Sequence, residues 1–506
     1  MKPLRDLLKH SSIYMIGQIL TRMASVLLLP FYTHVLTTAD YGVTAILDLT
    51  AAILSTFLAG GMVSAITRHH FDQDDEQHHD RVWWTGMSMV AGVCSLISVA
   101  LWTARHWLAD VTLGPEISSG AWFYTLTIVT LWFTVLGMIV EGYLRVRKWS
   151  GLFVAISLAR LTFNIALNVW LMVGRKMGVE GLLIGNMAAT FVHTSVLLAI
   201  FVRTRGSYVF DTQLGHQMFR FAAPLVVTAL TSMLMHEADR YFLRIWETLS
   251  EVGIYSLAHK IGFAVNTLCL LPFLSIWNVA IYDIERMPDS KQTFSRIFGW
   301  FTSGLGILLL GASLTMHPVL PLLTPDAYGE AADLVSVILL GFFVFGLSFM
   351  FQVPSMLRKN TKLMVPGSIA GVVVNVVANV MLIPMIGVWG AAWAGVLTYA
   401  AFSFTTLACC RTEMKLSYPW KSSLAASLGL CGSYVGVRYG CFPWMNAAAQ
   451  IVVSVAVCAA WGILLFGRDG MTWWRSRRTN QQASGRQSAE SRETCDVHAG
   501  QPVGAA

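Results

Sequence analysis

The residues able to do chemistry in this chain are a few polar groups set in long apolar surroundings. Gln18, Arg22 and Ser25 fall at i, i+4 and i+7, on one face of a helix. Ser157, Arg160, Asn164 and Asn168 make a second stripe. Thr228, Ser232, His236 and Asp239 make a third, with Glu237 and Arg240 beside it. Asp48, His259 and Lys260 complete the set. A guanidinium fork matches phosphate oxygens bidentately, so Arg22 and Arg160 suit a phosphate or pyrophosphate. Gln18, Asn164, Asn168 and His236 then read as polar neighbours of a bound substrate. An internal ion pair with Asp48, or an arginine capped by carbonyls, explains the same two arginines. Asp48, Glu237, Asp239, Arg240 and Lys260 read either as a structural charge network or as an ion-coupling or gating site. In the second case a buried carboxylate exchanges a proton. The Asn pairs also fit simple helix packing, through interhelical hydrogen bonds of about 1 kcal/mol.

The elements that carry these residues follow from composition. Of 506 residues, 55% are apolar and 12% charged, about half the charge of a soluble domain. The apolar residues fall in runs of roughly 20, the length that crosses a ~30 Å hydrocarbon core as a helix. Lipid offers no partner for backbone N–H and C=O, so each run is helical. Fourteen spans are expected: 11–36, 41–67, 82–104, 120–144, 151–173, 178–202, 218–245, 252–282, 293–316, 331–353, 363–384, 388–410, 421–438 and 446–467. Arg22 and Arg160 then lie about 15 Å from a membrane face. A charge at that depth costs roughly 2.5–3.5 kcal/mol on insertion scales and points to function. The first run is too long for a secretory signal and contains Arg22 and Pro30, so it is expected to be retained.

Lys and Arg alternate between the loops. Arg68 and Arg81, Arg145 to Lys148, Arg203 and Arg205, Arg286 to Arg296, Arg358 to Lys362, and Arg411 to Lys421 share the side of the N-terminus. Both termini are therefore expected in the cytoplasm. The formal charge of +7 reflects this asymmetry rather than nucleic-acid binding. The tail 468–506 is expected to be disordered beyond its first arginines.

The chain also repeats. Asp40-Tyr-Gly-Val43 and Glu251-Val-Gly-Ile254 lie 211 positions apart. The same offset relates Arg147-Lys148 to Arg358-Lys359, and Ser157, Asn164 and Asn168 to Ser368, Asn375 and Asn379. After a two-residue slip, Gly178-Val179-x-Gly181 matches Gly387-Val388-x-Gly390. Six spans return the chain to its starting side, so the repeats are parallel. The expected fold is an all-α polytopic membrane protein with two parallel six-helix lobes (1–210 and 211–412) around a central cavity. Two further helices (413–467) and the cytoplasmic tail follow. Arg160 is matched by Gly371 and Arg22 by Met233, so the deep arginines belong to the first lobe alone.

No H-E-x-x-H, P-loop, G-x-S-x-G or C-x-x-C pattern occurs, so neither a hydrolase, an ATPase motor nor a metal site is expected. The His- and acid-rich loop from Arg68 to Arg81 reads as a solvated loop. The runs Phe221-Ala-Ala-Pro224, Asp239-Arg240-Tyr-Phe242 and Glu251-Val-Gly-Ile-Tyr-Ser-Leu-Ala258, with Asp40-Tyr-Gly42, resemble the polysaccharide transporters of the multidrug/oligosaccharidyl-lipid/polysaccharide exporter superfamily. That resemblance implies a flippase for undecaprenyl-pyrophosphate-linked oligosaccharides in the bacterial inner membrane. It implies alternating access coupled to H+ or Na+, and service to O-antigen (lipopolysaccharide), capsule or exopolysaccharide assembly beside a polymerase and export machinery. It implies no cofactor. Arg22 and Arg160 would take the pyrophosphate, and Asp48 or Asp239 the coupling. A lipid II flippase and a drug/cation antiporter of the same superfamily are the rival readings. A membrane glycosyltransferase or polymerase would need a larger outer loop than any here.

Overall fold

A computed structural model describes residues 28–412, 416 and 418–466. The described residues form helices, turns and coil, without a strand. Twelve helices are long and apolar enough to cross a membrane. They are α2 (Thr38–His70), α3 (Glu76–Thr103), α4 (Gly120–Val146), α5 (Ser150–Gly174), α6 (Gly178–Thr204), α7 (Thr212–Glu237), α8 (Leu249–Glu285), α9 (Ser290–Leu323), α10 (Asp326–Leu357), α11 (Thr361–Ile386), α12 (Val388–Cys410) and α14 (Ala447–Phe466). Each matches one expected span. Of the first span only α1 (Leu29–Val35) is described. The thirteenth corresponds to α13 (Trp420–Val435), which runs into a π-helical turn at Gly436–Cys441 and is not among the twelve. The expected disordered tail lies outside the described residues.

Contacts divide the chain into two units. One holds residues up to 287 together with 316–416, which is the first lobe and all of the second except 288–315. The other holds 288–315 with the chain from 417 onward. In this second unit Leu310, Leu314, Leu430 and Phe442 form a small core, and Trp461 donates to Ser433 at 2.9 Å.

The repeat is visible as matched geometry within the first unit. Thr37 caps α2 in a capping box with Asp40, and Thr248 caps α8 in the same way with Glu251. The two capped ends touch. A Cβ on Gly42 would lie 1.9 Å from the Leu249 carbonyl oxygen, and one on Gly253 would lie 2.0 Å from the Thr38 carbonyl oxygen. Such reciprocity is the signature of a two-fold relation. Only glycine permits backbones this close. The Thr38 and Ser250 hydroxyls hydrogen-bond across the same point at 2.6 Å.

Other pairs recur in both lobes. Thr194 donates to the Phe133 carbonyl, and Ser403 to the Val344 carbonyl, each at 2.9 Å. Lys148 and Lys359 adopt positive φ (58° and 56°), as do Gly178 and Gly387 (54° and 59°). Trp122 donates to Glu180 at 2.9 Å in the first lobe. In the second lobe Trp389 donates to Glu330 at 3.1 Å, with the two residue types exchanged between helices.

Alternate loops meet at opposite ends, as the charge pattern requires. At the basic end of the first lobe Arg205 pairs with Asp80 (3.1 Å) and Glu76 (3.3 Å), and Arg147 with Glu76 (3.4 Å). The loop from Arg68 to Arg81 is therefore not simply solvated. Its carboxylates bind arginines from the next two loops on that side. At the other end Tyr328 donates to the Thr37 carbonyl at 3.2 Å. There Arg244 donates to the Leu113 carbonyl (2.7 Å) and to Glu116 (2.9 Å).

Candidate functional site

Where α1, α2, α5, α6 and α8 face the end of α7 and the short helix Asp239–Trp246, they leave a cavity of about 410 Å³. Charge enters from three elements: Asp48 from α2, Glu237 and Arg240 from the α7 junction, and Lys260 from α8. Arg240 pairs with Glu237 and donates to His259 Nδ1 at 2.9 Å. Arginine has no acceptor, so His259 Nδ1 accepts and the ring is neutral. Lys260 lies in the field of Asp48 and beside the Tyr41 hydroxyl. The cavity places these four sequence-predicted residues together. Asn164 also lines it, and donates to Asn186 at 2.8 Å.

Asp239 stands apart from that cavity. It is buried and accepts from Asn375 (2.9 Å), Asn379 (2.9 Å) and Tyr255 (2.8 Å). Three donors on one carboxylate replace the hydration it gave up. The Asn379 side-chain amide oxygen beside it has no partner among the described residues. In the first lobe the equivalent Asn168 is also buried, but donates to the Tyr32 hydroxyl at 3.1 Å and to Asn164 at 3.2 Å. One Asn pair thus supports a polar network, and its repeat supports a carboxylate.

The remaining expected residues are dispersed. Arg160 donates to Thr190 at 3.2 Å and lies in the field of Glu141. Glu141 in turn lies 3.8 Å from His193. Arg160 is thus associated with Glu141 rather than Asp48, and is not among the residues lining the cavity. His236 faces the Tyr399 hydroxyl at 2.7 Å, again outside the cavity lining. Gln18 and Arg22 lie outside the described residues.

Several contributors escaped the sequence reading. Tyr255 follows Glu251 in the repeat motif, and Asn375 and Asn379 carry the repeat offset, yet nothing in the sequence ties them to Asp239. Asn186 and Ser256 gave no periodic signal of their own, and Glu141, which its place near the end of the fourth span marks as interfacial, instead faces His193 and Arg160.

With two lobes, a polar cavity between them and matched geometry about a two-fold, the chain has the plan of a carrier. Residues 7–277 match the family described as "Polysaccharide biosynthesis protein". The chain belongs to that family. Solved structures share the fold of this family member. The lipid II flippase MurJ, in an inward closed conformation, superposes with a TM-score of 0.73 at 13% identity, over 90% of this chain and 99% of its own. The Vibrio cholerae MATE transporter VcmN in its bent form gives 0.53 at 13% identity, over 84% and 98%. An inward-facing multidrug resistance MATE transporter of the MOP superfamily gives 0.56 at 12%, over 85% and 99%. No curated protein matches the chain. The chain is thus a polysaccharide biosynthesis family member with twelve helices long and apolar enough to cross a membrane, and it shares its fold with these structures.

Proposed function

We propose that this protein is a flippase moving undecaprenyl-pyrophosphate-linked oligosaccharide repeat units from the cytoplasmic to the periplasmic leaflet of the bacterial inner membrane. The observation that carries this reading is a cavity rich in polar groups, lying between two lobes of a polysaccharide biosynthesis family member. A sugar chain needs such a polar interior, while its lipid tail stays in the bilayer. Both termini would be cytoplasmic, and the product would feed O-antigen or exopolysaccharide assembly.

In this reading Arg22 and Arg160 hold the pyrophosphate. Arg160 sits one helical turn from Asn164, which lines the cavity, and i, i+4 residues share a face. The donors around Asp239 make it the candidate for H+ or Na+ coupling. The test is translocation of a defined lipid-linked oligosaccharide in proteoliposomes. The wild-type chain should move it, and Arg22→Ala or Arg160→Ala should not. Full activity in both variants overturns the pyrophosphate assignment. Asp239→Asn should abolish dependence on an imposed ion gradient, and an unchanged dependence moves the coupling elsewhere.

The likeness to MurJ favours a second reading, lipid II itself as substrate. Lipid II in the same vesicles separates the two: faster movement of lipid II than of any oligosaccharide repeat unit selects it.

A further inference from the structure

At the end where α2 and α8 begin, the two lobes are fastened by two contacts that the repeat makes equivalent. Each joins the segment just before α2 or α8 to the segment at the start of α4 or α10 in the other lobe. Their chemistry is unequal. In one, Tyr328 of α10 donates to the Leu36 carbonyl at 3.3 Å and the Thr37 carbonyl at 3.2 Å. A phenol has a single hydrogen to give, so the two carbonyls share one neutral donor.

In the other, Arg244 crosses from the short helix Asp239–Trp246 to the first lobe. Its Nε donates to the Thr112 carbonyl at 3.0 Å. Its Nη2 donates to the Leu113 carbonyl at 2.7 Å and to the Glu116 carboxylate at 2.9 Å. Its Nη1 donates to the Glu247 carbonyl of its own segment at 3.4 Å. Thr112 and Leu113 close the short helix Arg105–Thr112. The last carbonyls of a helix have no partner within it, and an arginine supplies one. The next residue, Gly114, has φ 93°, and a Cβ there would run into the guanidinium and the Glu116 carboxylate. The seat is thus shaped for a rigid fork of donors. Tyr241, one turn earlier on the same helix, hydrogen-bonds Thr50 of α2 at 2.6 Å. A charged donor makes a bond about twice as strong as a neutral one. Here three such bonds reach the first lobe, against one shared hydrogen at Tyr328.

We infer that Arg244 is the principal fastener of the lobes at this end: the α2–α8 junction opens only when the guanidinium leaves its seat on the Arg105–Thr112 helix. Tyr328 is the weaker counterpart. The inference concerns the resting chain and holds whichever substrate it carries.

The test is hydrogen–deuterium exchange of the purified full chain in nanodiscs, read by mass spectrometry. The first turns of α2 and of α8 report the junction, and residues 105–116 report the seat itself. Arg244→Gln should speed exchange at both helix starts at least about tenfold, the scale of losing one charge-assisted hydrogen bond. Tyr328→Phe should stay within about threefold of the wild-type chain. Arg244→Lys keeps the charge without the fork and should speed exchange there at least about threefold. It replaces Arg244→Gln should that variant fail to elute as a monodisperse protein. Faster exchange confined to 105–116 would make the contact a local prop of that loop and overturn the inference. Helix starts unmoved by either arginine variant, or moved as far by Tyr328→Phe, overturn it as well.

Discussion

At the scale of single residues, Asp239 is a buried carboxylate held by three donors. Its carboxylate takes all three of its donors from elsewhere: Tyr255 on α8, and Asn375 and Asn379 on α11. Removing a partner from a buried charged group costs about 1–3 kcal/mol or more. Asn375→Leu and Asn379→Leu should therefore lower the thermal unfolding midpoint of the purified protein more than Asn164→Leu does. Neutralising the carboxylate should recover part of that loss. The double variant Asn379→Leu with Asp239→Asn is thus expected to be more stable than the sum of its parts. Strict additivity would mean the charge is not what the amide supports. Little of this arrangement was legible in the sequence. The Asn pair could be found by its repeat, and Asp239 by its stripe. Their meeting across 136 and 140 positions depends on how each helix is rotated about its axis. Arg160 illustrates the same limit. Its depth was readable by counting residues, but its neighbour Glu141 on α4 was not.

At the scale of elements, the junction of α2 and α8 is held by glycine and by matched caps. A methyl group at Gly42 or Gly253 would meet a backbone carbonyl rather than a flexible side chain, so the helices must separate to admit it. Gly42→Ala and Gly253→Ala should each destabilise the protein by more than a cap deletion. Thr37→Ala and Thr248→Ala should each cost about 1 kcal/mol, read by thermal or denaturant unfolding in detergent. If alanine at Gly42 were neutral, the lobes would meet less closely than described. The motifs at this junction were found at sequence level because they repeat. That the repeats lie against each other was not, since an offset states equivalence and not contact.

At the scale of the whole molecule, the transmembrane plan was the most legible part. Lipid enforces helix formation on every apolar run, and loop charge records which ends share a side. Twelve expected spans recur as long apolar helices, and loops expected on one side meet one another. The direction of insertion has its own test: a reporter fused after Leu320 should report a non-cytoplasmic position. The alternating access that the proposed flippase would use makes a demand on the α2–α8 junction. Thr38→Cys with Ser250→Cys places two thiols where hydroxyls now stand 2.6 Å apart. Oxidation of that pair should stop translocation and reduction should restore it, whereas undiminished transport by the oxidised protein would mean this junction never opens.

The joined caps have an electrical consequence. Two helix N-termini converge where Gly42 and Gly253 touch, and each helix end carries roughly half a positive charge from its aligned peptide dipoles. Brought together they would repel. Asp40 and Glu251, one in each capping box, set a carboxylate on each end. The acids of the repeated motif therefore do more than hold local turns: they let two like poles lie side by side.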